Sequence, residues 1–233
     1  MLTALNPNDY NQPFPNVSLA LDDPNGLLAV GGCLSPRRLA NAYRHGVFPW
    51  YADGEPILWW SPDPRLVLFP AKISISRSLR KTLQRSVFNY SFDTCFDRVI
   101  EACAEPRAYA DGTWISPEIK KAYCKMHKLG LAHSFETWQD GKLVGGLYGL
   151  TIGRVFFGES MFHRASNASK AAFAFAVQEL VQWGYCLIDC QVYTDHLASL
   201  GAEEIPRSEF IELLRHCDSP PSPLAWRKVG TND

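Results

Sequence analysis

Apolar positions along the chain change rhythm several times, and each change marks an element. The first twenty-odd residues are rich in Asn and Pro and are expected to be irregular as far as Leu27. Gly26–Gly32 is a short apolar run ending in glycines, a strand or a tight backbone approach. Ser35-Pro36 then opens a helix with a serine N-cap and a proline at the first helical position. Leu39, Ala42 and Tyr43 give that helix its apolar face, and Gly46 stops it. Helical spacing returns twice. Leu79, Leu83 and Val87 lie opposite Arg77, Arg80, Lys81 and Arg85, and Ile119, Tyr123 and Met126 lie opposite Lys121, Lys125 and Lys128 in a helix opened by Ser116-Pro117. From His133 the period becomes two. Residues 133–138, 142–150 and 154–162 are predicted to form an antiparallel meander, turning at Asp140-Gly141 and at Thr151-Ile152-Gly153. A largely buried helix follows over 167–183, capped by Ser166 and ended by Gly184. Tyr185–Val192 is predicted to be a strand, and short helices at 197–200 and 210–214 precede a Pro-rich tail.

Acidic and amide side chains interrupt this pattern at informative places. In the last strand, strict alternation puts Cys186, Ile188, Cys190 and Val192 on one face and Tyr185, Leu187, Asp189 and Gln191 on the other. A carboxylate in such a strand needs a partner or a job, because burying it alone costs several kcal/mol. Asp189 could cap the turn at Thr194-Asp195-His196, pair with an arginine, or take part in chemistry. In the run Arg154–Phe162 a single acid, Glu159, stands among apolar and aromatic residues, and Gly158 suggests a bulge that would re-aim it. Trp50, Trp59 and Trp60, set among prolines, are either core filling or a platform for a base or aromatic group.

Charge and composition narrow the classes. With 23 Lys plus Arg against 24 Asp plus Glu, the net charge is −1, so attraction of nucleic acid must come from a local patch such as the two basic helix faces. The N-terminus lacks the basic and apolar regions of a signal peptide, and no apolar run approaches a membrane span. Seven irregularly spaced cysteines are read as reduced, mostly buried thiols of a cytoplasmic protein, and the six histidines show no metal-binding spacing. There is no Gly-x-Ser-x-Gly elbow and no Gly-x-x-x-x-Gly-Lys loop, which argues against an α/β-hydrolase and against ATP use.

Meander, helix, strand, helix is the order of an acetyltransferase-like core. The expected fold class is therefore α/β (α+β): a small N-terminal domain over residues 1–66, and a GNAT-like mixed sheet with flanking helices over 67–233. That core ordinarily holds an acyl-CoA pyrophosphate on a glycine-rich loop before its central helix. Here the place holds His163-Arg164-Ala165-Ser166-Asn167-Ala168-Ser169-Lys170, without those glycines.

Several blocks resemble one family, the leucyl/phenylalanyl-tRNA–protein transferases: Gly26–Gly32 through Phe48-Pro49-Trp50, Leu58–Arg65, Gly112–Ile115, Gly158–Phe162, Asn167–Lys170, Leu187–Gln191, Ala198–Ala202 and Glu204–Pro206. The resemblance implies transfer of Leu, Phe or Met from aminoacyl-tRNA to proteins that begin with Arg or Lys, marking them for degradation, with no metal or other cofactor. It also implies that Trp50 and Trp114 meet the 3′-terminal adenosine or its surroundings. Phe156 and Met161 would line the side-chain pocket beside Gly158 and Ser160, with Leu147, Ala172 and Ala176 near by. On the chemistry of the residues, Asp189 would take or direct the amine proton and Gln191 would orient the amine or carbonyl; Asp189 and Glu159 would both draw the cationic acceptor, and Glu159 would hold the terminal adenosine or Gln191. Arg77, Arg80, Lys81, Arg85 and Lys121 would face the tRNA backbone, and the protein is expected to act as a monomer away from membranes. An acyl-CoA-dependent N-acetyltransferase and a non-catalytic reader of basic N-termini are the alternatives.

Overall fold

A computed structural model describes residues 2–106 and 113–227. The N-terminal segment is more regular than its composition predicts. β1 (Thr3–Leu5) pairs in parallel with β2 (Leu27–Gly31), whose backbone supplies the partner that the short segment lacks alone. α1 (Pro36–Arg44) starts as expected, with the Ser35 hydroxyl accepting from Arg38 N. β3 (Phe48–Pro49) and β4 (Leu58–Trp60) complete a four-stranded sheet in the order β1-β2-β4-β3.

β5 (Arg65–Leu68) belongs to a second sheet and carries the chain across position 66/67. The elements after it are α2 (Arg77–Gln84), β6 (Asn89–Phe92), α3 (Phe96–Ala104), α4 (Pro117–Lys128), β7 (Ala132–Gln139), β8 (Lys142–Ile152), β9 (Val155–His163), α5 (Ala168–Gln182), β10 (Leu187–Gln191), α6 (Asp195–Ala198), β11 (Glu203–Ile205) and α7 (Arg207–His216). The second sheet is mixed, ordered β11-β5-β10-β9-β8-β7-β6, with β9 and β10 parallel and α5 crossing between them. This is the α/β class expected, with the meander where the period of two put it.

Side chains alternate across the large sheet into two apolar layers. Tyr148, Leu150, Phe157 and Leu187 join the residues of α1, α3, α4 and the small sheet, so one core unites both sheets. Leu147, Phe156 and Ile188 face α5, whose alanines let it lie close to the strands. A Cβ at Gly145 would come within 2.7 Å of Ala168, so that approach depends on the glycine.

Three local expectations change. The N-cap of α5 is Asn167 in the left-handed region (φ 63°) rather than Ser166, and its side chain caps nothing; it donates instead to Thr82. Val87 lies past the end of α2 and is exposed. Cys186 and Cys217 form a disulfide, joining the segment before β10 to the end of α7, so the chain is not wholly reduced; Cys33, Cys95, Cys103, Cys124 and Cys190 are free. The two lie 31 positions apart, and both bond the backbone of Arg154, whose N–H donates to Cys217 O and whose carbonyl accepts from Cys186 N. No described helix is long and apolar enough to cross a membrane, and the described residues contain no cluster of metal ligands.

Candidate active site

Two β-bulges build the site. Along β8 and β9, Tyr148 faces Ser160 while Gly149 faces Gly158, which leaves Glu159 as the extra residue. Along β10 and β5, Asp189 faces Val67 while Gln191 faces Leu66, which leaves Cys190 as the extra residue. Gln191 takes a left-handed backbone (φ 66°) to close this second bulge. The strict alternation expected for β10 therefore fails after Asp189. Gln191 turns onto the face of Ile188 and Cys190, and Asp189 stays on the other.

The pairing of β9 with β10 ends at Phe157 and Asp189, and a cavity of about 970 Å³ is lined by residues beyond that point on both strands. Trp50, Trp114, Phe156, Gly158, Glu159, Ser160, Met161 and Gln191 all line it. Trp50 is half exposed and meets Trp60 edge to face at 5.8 Å, while Trp59 is buried in the core. Leu147 lines the cavity as well. From α5 the lining residues are Ser169 and Phe173, not Ala172 and Ala176, which are buried in the layer behind.

Glu159 is the electrostatic centre of the cavity. Its Oε1 accepts from the Tyr43 hydroxyl at 2.7 Å and from Gln191 Nε2 at 3.1 Å, and its Oε2 accepts from the Tyr123 hydroxyl at 3.1 Å. Burial pushes its pKa up to about 7; the two tyrosines and Gln191 oppose the rise, and the nearby Asp189 charge adds to it. Burial first, then the Glu159 charge, raise both tyrosines well above the ordinary phenol value, so they remain protonated donors. The Tyr148 hydroxyl, also buried, has no partner among the described residues. Tyr43 and Tyr123 were legible only as apolar-face residues of their helices; a hydroxyl at the core end of such a face is the one hint that something polar lies beneath.

Asp189 does not fit the direct role expected of it. It is fully buried, does not line the cavity, and is held by Arg65 through Nε–Oδ1 at 2.8 Å and Nη2–Oδ2 at 2.6 Å. Arg65 itself donates to Gly46 O and sits against the rings of Phe48 and Phe210. The remaining bond of Asp189 is the informative one: Oδ1 accepts from Gln191 N at 2.9 Å, pinning the left-handed residue of the bulge. Asp189 thus holds the bulge backbone from outside the cavity, and the arginine pairing is the alternative that the structure selects.

The basic residues sit on exposed helix faces. Arg77, Arg80 and Lys81 lie on α2, Arg85 is its C-cap, and Lys121 lies on α4. Gly112, part of one of the matching blocks, lies outside the described residues.

Residues 67–215 match the family model described as leucyl/phenylalanyl-tRNA protein transferase, and residues 32–63 match its N-terminal domain. The chain belongs to this family. Proteins named leucyl/phenylalanyl-tRNA--protein transferase from Methylococcus capsulatus and Azotobacter vinelandii are 61% and 60% identical, each over 97% of this chain and over 97% and 99% of their own. One from Cellvibrio japonicus is 57% identical over 94% of both chains. Among solved structures, a GCN5-related N-acetyltransferase from Kribbella flavida is 14% identical with a TM-score of 0.38, covering 70% of this chain and 58% of that one; a likeness this slight carries no argument. The cavity described above is thus the candidate active site of a member of the transferase family.

Proposed function

We propose that the protein transfers leucine, phenylalanine or methionine from aminoacyl-tRNA to the α-amino group of proteins that begin with Arg or Lys, as a cytoplasmic monomer, and so marks them for degradation. The observation that carries this reading is the single cavity in which half-exposed Trp50, Trp114 and the hydrogen-bonded Glu159–Gln191 pair come together. Trp50 and Trp114 offer faces for the terminal adenosine. Phe156, Met161, Leu147 and Phe173 offer an apolar wall for a side chain unbranched at Cβ, a preference worth about 1–3 kcal/mol against Ile or Val.

An aminoacyl ester is already activated, so the reaction needs positioning and proton transfer rather than an energy source. The acceptor amine, with a pKa near 8, must lose its proton before it attacks the ester carbonyl carbon. One N–H of Gln191 Nε2 is held by Glu159, which fixes the amide so that its carbonyl oxygen can accept from the incoming amine and orient it. Glu159, titrating near 7, is the cavity carboxylate suited to take the amine proton. The new C–N bond forms as the ester C–O bond breaks, and the ribose oxygen leaves with a proton. The Glu159 charge also favours an acceptor whose side chain is cationic.

The test is direct. Incubating the pure protein with radiolabelled leucyl-tRNA and a peptide beginning with Arg should move the label to the peptide. Label that stays on the tRNA overturns the reading.

A further inference from the structure

Cys186 and Cys217 stand apart from the other five cysteines, which are free. Their bridge, with Cα atoms 6.6 Å apart, joins the residue before β10 to the C-cap of α7. α7 does not need it to stay in place. Its Phe210 and Leu214 are buried in the core that unites both sheets, and Arg154 N donates to Cys217 O at the helix end. A covalent link laid over contacts that already fix the helix has another use. What the two cysteines share is a route to Gln191.

From Cys186 the route is direct, because β10 starts at the next residue and ends on Gln191. From Cys217 it runs back along α7 to Phe210, whose ring centroid lies 4.5 Å from Arg65 Cζ. Arg65 holds both oxygens of Asp189, and Asp189 Oδ1 accepts from Gln191 N in the bulge. α7 also braces Gly46, whose carbonyl accepts from Arg65 Nη1; a Cβ there would come within 2.6 Å of Ile211 and 3.1 Å of Phe210. Packing this close transmits a shift of the helix to Arg65, so the link between α7 and β10 bears on the bulge from both sides. The two sulfurs differ in access, since Cys186 is partly exposed and Cys217 is buried.

We propose that Cys186 and Cys217 form a reversible thiol–disulfide switch: the bridged form holds the Gln191 bulge for transfer, and the dithiol form loosens it. The reductant is a small thiol. Its thiolate attacks Cys186 Sγ, the S–S bond breaks, and Cys217 leaves as a thiolate that takes a proton. A second small thiolate attacks the outer sulfur of the mixed disulfide and releases Cys186, which is protonated in turn. Two electrons and two protons pass to the protein, and a small-molecule disulfide leaves. The effect on transfer rests on the function proposed above; the effect on Gln191 does not.

The test equilibrates the full-length protein in buffers of rising ratio of reduced to oxidised glutathione and counts thiols after unfolding. The count should rise from five to seven. In step with it, kcat for leucine transfer to a peptide beginning with Arg should fall about fivefold, with KM for leucyl-tRNA unchanged. Cys186→Ser and Cys217→Ser should each stay at the lower rate at every ratio. Amide exchange reads the bulge without any chemistry: the Gln191 N–H should exchange about tenfold faster in the dithiol form. A thiol count that never changes overturns the switch. So does a wild type whose rate and Gln191 exchange ignore the count, or a redox response that survives in both Ser variants. If the wild type transfers leucine in neither form, the proposed function fails instead, and Gln191 exchange alone decides the switch.

Discussion

At the scale of single residues, the pair Arg65–Asp189 shows how a charge can serve a site without touching substrate. Both side chains have no exposure, and both carboxylate oxygens are used by the guanidinium. Removing one charge strands the other, so Asp189→Asn should lower the unfolding free energy by about 3–5 kcal/mol, read from denaturant midpoints. Replacing both partners by apolar residues of similar volume should recover most of that loss, yet activity should stay low because Gln191 N loses its acceptor. If Asp189→Asn retained wild-type stability, the scaffold role would be refuted. Glu159 is the opposite case, a charge placed to change. Its carboxyl titrates near 7 instead of 4.5, so the folded state holds its proton more tightly than the unfolded chain does. The stability this gives is complete below about pH 4.5 and is lost as pH rises through 7. Thermal melts of Glu159→Gln should accordingly depend less on pH between 5 and 8 than those of the wild type. In activity the sign reverses, because a proton acceptor must be ionised. The kcat of the wild type should rise through a limb near pH 7, and Glu159→Gln should lose that limb together with roughly 100-fold in rate.

At the scale of elements, the bulges decide what the strands present. Glycine at 149 permits the first of them. A Cβ there would lie 2.2 Å from Phe157 O and 2.6 Å from the Phe156 ring, against backbone that cannot yield. Gly149→Ala should therefore destabilise the protein by more than about 2 kcal/mol and, through displaced Phe156, raise KM for the donor; an unchanged melting temperature would contradict the register. This bulge was legible in the sequence, because Gly158 interrupts an aromatic run next to an acid. The meander, the serine caps at Ser35 and Ser116, and the helix before β10 were legible for the same reason: their signals are local spacing and capping chemistry. The second bulge was not. It depends on how β10 meets β5, a strand more than a hundred residues earlier, and no local glycine announces that Gln191 will turn left-handed. Strict alternation therefore placed Asp189 beside Gln191 on one face of the strand, when the fold separates them and uses one to hold the other. Arg65, Tyr43 and Tyr123 escaped notice on the same grounds, since each acquires its meaning from a partner distant in the chain.

At the scale of the whole molecule, a net charge of −1 leaves long-range attraction of a polyanion to local faces. α2 presents Arg77, Arg80 and Lys81 to solvent, with Arg85 at its end, while Leu79 anchors the opposite side in the layer shared with α5. Among the described residues none of these four cations has an acid within ion-pair distance, unlike Lys120, which is held by Glu101. α4 presents Lys121, Lys125 and Lys128. Exposed cations without acids to neutralise them gain most from phosphates, and the gain appears as released counterions. Each phosphate left unneutralised should flatten the slope of log affinity against log salt by about 0.7–0.9. The double substitution Arg80→Glu with Lys81→Glu should raise KM for leucyl-tRNA at least tenfold at low salt and reduce that slope by one to two. It should leave the melting temperature within a few degrees, because both side chains are exposed. The same substitutions should have far less effect with leucyl-adenosine, which has no backbone to engage α2. A double variant that kept both its KM for tRNA and its salt slope would remove α2 from the RNA-facing surface and leave the α4 lysines as the basic face to test.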